Sequence, residues 1–221
     1  MKFAAVLFDC DGVLVDSEPI TNGVLREMLG ELGWMISQAE CMRIFVGKAV
    51  KDEIPQIEAR TGFTVTPGWL AEFADRRNQA LTAKVQAIPN VIAAVREVQA
   101  RYKGNMACAS GADRAKVMLQ LGKIGLLDCF EGRIFSGYET PRSKPFPDVY
   151  LAAAAALGVP PEDCAVVEDT VPGVTAGVAA RATVLAYTPP TTTHVSPAQL
   201  VIAGAKHQFD DMALLPPLVL A

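Results

Sequence analysis

The chain has 221 residues, 51% of them hydrophobic and 20% charged, with 20 basic against 24 acidic side chains and a net charge of -4. That composition is globular and excludes wholesale disorder, and a chain of this length buries a sizeable core without a disulfide or metal staple. The acidic balance argues against a general nucleic-acid binder, which needs surplus Lys and Arg for phosphates. The cysteines (Cys10, Cys41, Cys108, Cys129, Cys164) are scattered and form no C-x-x-C pair, so reduced thiols in a cytoplasmic protein are the expected reading. The apolar run before Asp9 is shorter than a secretory segment, and the uncharged stretch 182–205 is broken by Pro189, Pro190 and Pro197, so no membrane helix is expected.

Residues 3–8 (FAAVLF) form a continuous apolar run, the pattern of a strand buried on both faces of a parallel sheet. The spacing of Ile20, Val24, Leu25, Met28, Leu29 and Leu32 predicts a helix over 17–32 that stops at Gly33. Residues 37–45, 50–60 and 67–83 read as further helices. From Ile88 onward helix and strand alternate. Helices are predicted at 90–102, 113–121, 147–157 and 171–180, and strands at 105–109, 133–136, 164–167 and 183–186. The segment TPPTTT at 188–193 reads as a loop. This order predicts an α/β fold, a doubly wound parallel sheet interrupted early by an all-helical insert. The expected division is 1–15 and 86–221 for the α/β core and 16–85 for the helical insert.

Ligands of open α/β sheets bind outside the carboxyl ends of the strands. Asp9 and Asp11 follow the first strand, with Gly12 beyond them. Ser110 and Gly111 follow the second, Lys144 precedes the 147–157 helix, and Glu168 and Asp169 follow the 164–167 strand. Carboxylates about 4 Å apart repel by roughly 4 kcal/mol at an effective dielectric near 20. Several converging acids therefore call for protons or a cation. An all-oxygen set suits Mg²⁺. Lys144, and a helix opening at Ser110 and Gly111, would add positive potential for a phosphoryl group.

These segments resemble the four motifs of the haloacid dehalogenase superfamily: DCDGVLVDS at 9–17, Ser110 in ASGAD, Lys144 in SKPFPD, and Glu168-Asp169 in VVEDTVPGV. DSEPI and SGYETPRSKP are similar to the 6-phosphogluconate phosphatase branch of the β-phosphoglucomutase-like subfamily. The resemblance implies an HAD-like Rossmannoid core with a cap, and a phosphatase that forms an aspartyl-phosphate on Asp9. It implies Asp11 as general acid and base, and Ser110, Gly111 and Lys144 as phosphoryl-binding groups. It implies Mg²⁺ held by Asp9, the Asp11 backbone carbonyl and Asp169, with Glu168 direct or through water. The partner is a small phosphate ester such as a sugar or sugar-acid phosphate, with neither nucleic acid nor membrane, and a monomer is expected. Lys48 is the expected cap contact, because the Gly47 turn should face the core.

Plainer roles compete. Ser110 could cap a helix, as could Asp16 or Ser17. Strand alternation turns Cys10 away from the aspartates. Neither His194 nor His207 stands at a strand end, so a serine triad is not expected. Pro172-Gly173 reads as a helix entrance. A phosphosugar mutase is the alternative function. The family's mutases carry a cap arginine where this chain has Val50, and a histidine where it has Thr21. A dehalogenase is disfavoured by Asp11, and a non-catalytic binding module by the full set of catalytic groups.

Overall fold

A computed structural model describes residues 2–192 and 195–220. Thr193 of the expected loop and His194 lie outside the described residues. The first strand, β1 (Ala5–Phe8), is buried throughout. Five more strands follow in the sheet: β2 (Met106–Ser110), β3 (Ile134–Ser136), β4 (Cys164–Glu168), β5 (Thr183–Tyr187) and β6 (His207–Phe209). They are ordered β3-β2-β1-β4-β5-β6, and every neighbouring pair is parallel. The strand order reverses at β1, and the chemistry-bearing residues collect at the carboxyl edge beside it.

The period of two along β1 sorts its side chains between two layers. Val6 and Phe8 enter one apolar cluster, while Ala5 and Leu7 enter the other. Helices α5 (Val91–Tyr102), α6 (Arg114–Lys123) and α10 (Leu215–Leu220) cover the first face; α7 (Asp148–Leu157), α8 (Val171–Ala179) and α9 (Pro197–Ile202) cover the second. Such burial on both faces explains why β1 reads as unbroken apolar sequence.

Between β1 and α5 stand four helices: α1 (Glu18–Glu31), α2 (Gln38–Phe45), α3 (Ile54–Thr61) and α4 (Pro67–Lys84). They enclose their own apolar cluster around Leu25, Leu29, Ile57 and Phe73. The 50–60 helix is shorter than predicted. Residues Val50–Glu53 form a tighter 3-10 turn, and α3 starts at Ile54 with Pro55 in its first turn, where a missing N–H costs nothing. The chain leaves and re-enters the sheet layer side by side: Asp16 N donates to Gln86 O at 3.0 Å and Ile88 N to Leu14 O at 3.1 Å. The sequence pattern placed no element after 186, yet β6 extends the sheet beyond β5, α9 packs beside α8 and α10 beside α5. Their runs are three to six residues long, too short for a period to show. Among the described residues no helix is long and apolar enough to cross a membrane.

Candidate active site

Asp9 follows β1 directly and is nearly buried. Its Oδ1 accepts a hydrogen bond from Lys144 Nζ at 2.7 Å, and the same ammonium donates to Glu168 Oε1 at 2.7 Å. Burial above all pushes the Asp9 carboxyl up to about 7; Lys144 opposes this and Glu168 adds to it. The Lys144 ammonium is held well above its usual range. Burial works against its charge, and Asp9 and Glu168 outweigh that.

Glu168 ends β4 with no exposure. Its Oε1 also accepts from the Tyr150 hydroxyl of α7 at 2.8 Å. Its Oε2 accepts from Asp169 N at 2.9 Å, Thr170 N at 3.2 Å and Thr170 Oγ1 at 3.1 Å. This folded-back carboxylate needs a glycine opposite it. A Cβ at Gly173 would stand 1.8 Å from Glu168 Oε1, which gives Pro172-Gly173 a more specific task than a helix entrance. Gly12 does the same for the neighbouring acid: its φ is +75°, and a Cβ there would stand 2.0 Å from Asp169 Oδ2.

One carboxylate oxygen each from Asp9, Glu168 and Asp169 lies within 4.8 Å of the others, and all three residues are buried. Asp169 is pushed well above the carboxylate range, first by burial and then by Glu168 and Asp9. Buried acids that resist ionisation together fit a divalent cation between them, and an all-oxygen donor set fits Mg²⁺. Glu168 already takes five donors on two oxygens, so a bridging water suits it better than a direct bond.

Asp11 has a different setting. Its Oδ1 pairs with Lys116 Nζ at 2.8 Å, accepts from Gln120 Nε2 at 2.9 Å, and takes a short hydrogen bond from Ser17 Oγ. Burial alone would raise its carboxyl, but Lys116 foremost, with Ser17 and Gln120, holds it below its usual value. Lys116 and Gln120 stand one turn apart on α6 and are buried. Sequence reasoning missed both. The only signal is an i, i+4 Lys and Gln pair on the face shared with Val117 and Leu121. Ser17 occupies the N-cap position of α1 without capping it; its hydroxyl is turned to Asp11 instead. Glu18 of α1 was also missed. Burial, then the Asp11 charge, pushes its carboxyl up to about 8.

Ser110 and Gly111 do not open a helix. Ser110 ends β2, α6 begins at Arg114, and the N-cap is Asp113, whose Oδ1 accepts from Lys116 N at 2.9 Å. The helix terminus is therefore already met by a carboxylate. Ser110 Oγ accepts from Ala112 N at 3.1 Å in a local turn. Cys10 is buried in the apolar layer, with Sγ 3.5 Å from Gln120 Oε1, as the alternation predicted. His207 lies exposed at the amino end of β6, opposite to the site.

A cavity of about 80 Å³ separates the sheet edge from the helical layer, space for on the order of five waters. Asp9, Asp11, Ser110, Gly111, Lys144 and Glu168 line it from the sheet; Thr21, Asn22, Lys48, Val50 and Arg77 line it from the helices. Asp169 borders the adjoining cleft with Gly12 and Asp16. Lys48 reaches the cavity while paired with Glu53 at 3.2 Å, and the Gly47 turn lies against Thr170. Across the two layers, Arg77 Nη2 donates to Asp113 Oδ2 at 2.9 Å, and Lys51 Nζ sits 4.0 Å from the centre of the Tyr138 ring.

The family model of the haloacid dehalogenase-like hydrolases matches residues 3–181. The chain belongs to that family. It is 31% identical to the 6-phosphogluconate phosphatase of Escherichia coli over 179 residues, covering 80% of this chain and 79% of that one. Hexitol phosphatase B of Escherichia coli is 30% identical over 183 residues, 81% of each chain. A solved hydrolase of the family from Deinococcus radiodurans, with bound phosphate and sodium, superposes with a TM-score of 0.76. It is 34% identical, over 98% of this chain and 95% of that one. The resemblance read from the four motifs is borne out, and the chain is a phosphoric monoester hydrolase of this family.

Proposed function

We propose that the chain is a Mg²⁺-dependent phosphatase of small sugar phosphates or sugar-acid phosphates, working through an aspartyl-phosphate on Asp9. The carrying observation is the convergence on buried Asp9 of Lys144 and the acids Glu168 and Asp169, with Asp11 two residues further along. An Asp9 oxygen bonds to phosphorus as the bond to the leaving alcohol breaks, and Asp11, protonated once it leaves the Lys116 ammonium that keeps it ionised, supplies that alcohol's proton. Water then attacks phosphorus, Asp11 takes the water's proton, and phosphate departs with Asp9 restored. Ser110, Gly111 and Lys144 hold the phosphoryl oxygens, and Lys144 offsets the charge around Asp9. Asp9, the Asp11 backbone carbonyl and Asp169 would hold Mg²⁺, with Glu168 reached through water. The bound ion would neutralise the phosphoryl oxygens and lower the repulsion that the nucleophile meets.

Helices α1–α4 act as the cap over residues 16–85, and Lys48 supplies a cap contact to substrate. The position of the cavity between the sheet edge and the helical layer favours small metabolites over phosphoproteins. Val50 lines the cavity where the mutases of the family place an arginine, which supports hydrolysis over transfer back to sugar. The test is phosphate release from a panel of small phosphomonoesters with Mg²⁺ and with EDTA. Release that requires the metal is expected. Isomerisation of β-glucose 1-phosphate to the 6-phosphate without release would overturn the reading.

A further inference from the structure

Besides Lys144 and the half-exposed Lys48, two further cations line the cavity. Lys116 and Arg77 are each nearly buried, with 7% of either side chain exposed. They share one anchor: Asp113 accepts the Lys116 backbone N–H on Oδ1 and the Arg77 guanidinium on Oδ2. Facing the same space is the Thr21 hydroxyl oxygen, which is buried and has no hydrogen-bond partner. A buried polar atom without a partner is costly unless a ligand or water completes it.

Among the described residues, the carboxylate bonded to the Lys116 ammonium is Asp11. For Asp11 to serve the leaving oxygen, that contact has to loosen. Glu18 on the same cavity wall also acts on the Lys116 charge, but Asp11 is the acid in contact with it. A nearly buried ammonium that loses its contacting carboxylate is destabilised. A single negative charge arriving on the leaving group would take the place Asp11 gives up. A neutral polyol could fill the space but not restore the balance.

We infer that Lys116, with Arg77 beside it and Thr21 opposite, forms a subsite for a carboxylate on the leaving alcohol, so that sugar-acid phosphates are preferred over neutral alditol phosphates. This assignment rests on the phosphatase reading above and narrows its substrate class. Lys116 would touch the substrate and would be a specificity residue, beyond positioning Asp11.

The test compares kcat/KM for 6-phosphogluconate and sorbitol 6-phosphate, which match in length and differ at the carboxylate. The wild type should favour the acid by about tenfold or more, the scale of one charge-assisted hydrogen bond. Lys116→Met should erase that preference, and Lys116→Arg should keep most of it. A wild type that treats the two esters alike, or a Lys116→Met variant slowed equally on both with its preference intact, would overturn the inference. Calorimetric titration with gluconate and with sorbitol, in the presence of inorganic phosphate and Mg²⁺, needs no turnover. Gluconate should bind the wild type more tightly. Equal binding overturns the subsite even if phosphate esters are hydrolysed. Lys116-dependent gluconate binding without any phosphate release supports the subsite and places the failure in the hydrolytic reading.

Discussion

Each aspartate of the D-x-D segment has a buried lysine beside it, and the two lysines are held unequally. Lys144 donates to both Asp9 and Glu168, with the Tyr150 ring centre 4.8 Å away. If Asp9 turns to phosphorus, Lys144 keeps Glu168. Lys116 has Asp11 as its carboxylate, and the remaining bonds at that oxygen belong to Gln120 and Ser17. Support for Asp9 is therefore redundant, whereas support for Asp11 changes when that residue moves. One half of the site is a fixed electrostatic frame, and the other is a place where a partner can be exchanged.

Breaking the fixed half should have the largest effects. Asp9→Asn is expected to abolish phosphate release while circular dichroism shows a folded chain; turnover near wild type would remove Asp9 as nucleophile. Asp11→Asn should slow steady-state turnover by at least about 10², the low end for loss of a positioned acid-base group. Lys144→Met leaves two buried acids facing each other. A loss of about 3–5 kcal/mol is expected, read as a melting temperature lower by roughly 10 °C. Gly173→Ala drives a methyl into Glu168, and a cost of about 1–3 kcal/mol is expected from such overpacking. An unchanged melting curve would mean that Glu168 has somewhere else to go.

The smallest effect sharpens the exchangeable half. Glu18 has a carboxyl raised from 4.5 to about 8. Below pH 4.5 it is neutral in folded and unfolded chains alike. As pH rises from there, the unfolded chain ionises first, so folding stability falls until Glu18 itself ionises near pH 8. Glu18→Gln cannot titrate, so its melting temperature should fall less than the wild type's between about pH 5 and pH 8. Parallel curves would show that Glu18 ionises normally.

The fixed half was legible in the sequence and the other half largely was not. Asp9, Glu168 and Asp169 sit at strand ends and Lys144 in the proline-flanked loop before α7. Their placement needs only the order of strands. Lys116 and Gln120 lie within a helix, where a lysine and a glutamine one turn apart look like part of a solvated face. Their burial depends on how α6 meets Asp11 and the helical layer, which one sequence does not specify. Ser110 stands at the end of its strand but does not open the following helix, which starts at Arg114 behind an Asp113 cap, close to the predicted 113. The short elements after Tyr187 carried too few residues for any period.

The bond between Lys144 and Asp9 joins groups 135 positions apart in the chain. Strand β1 finds its two partners only when β2 and then β4 are in place. Contacts this distant are late and slow to form. During refolding, helices α1–α4 can gather around their own apolar cluster from neighbouring sequence while the sheet is still incomplete. Recovery of catalysis should therefore lag recovery of helical signal, which makes enzymatic activity a stricter gauge of completed assembly than secondary structure.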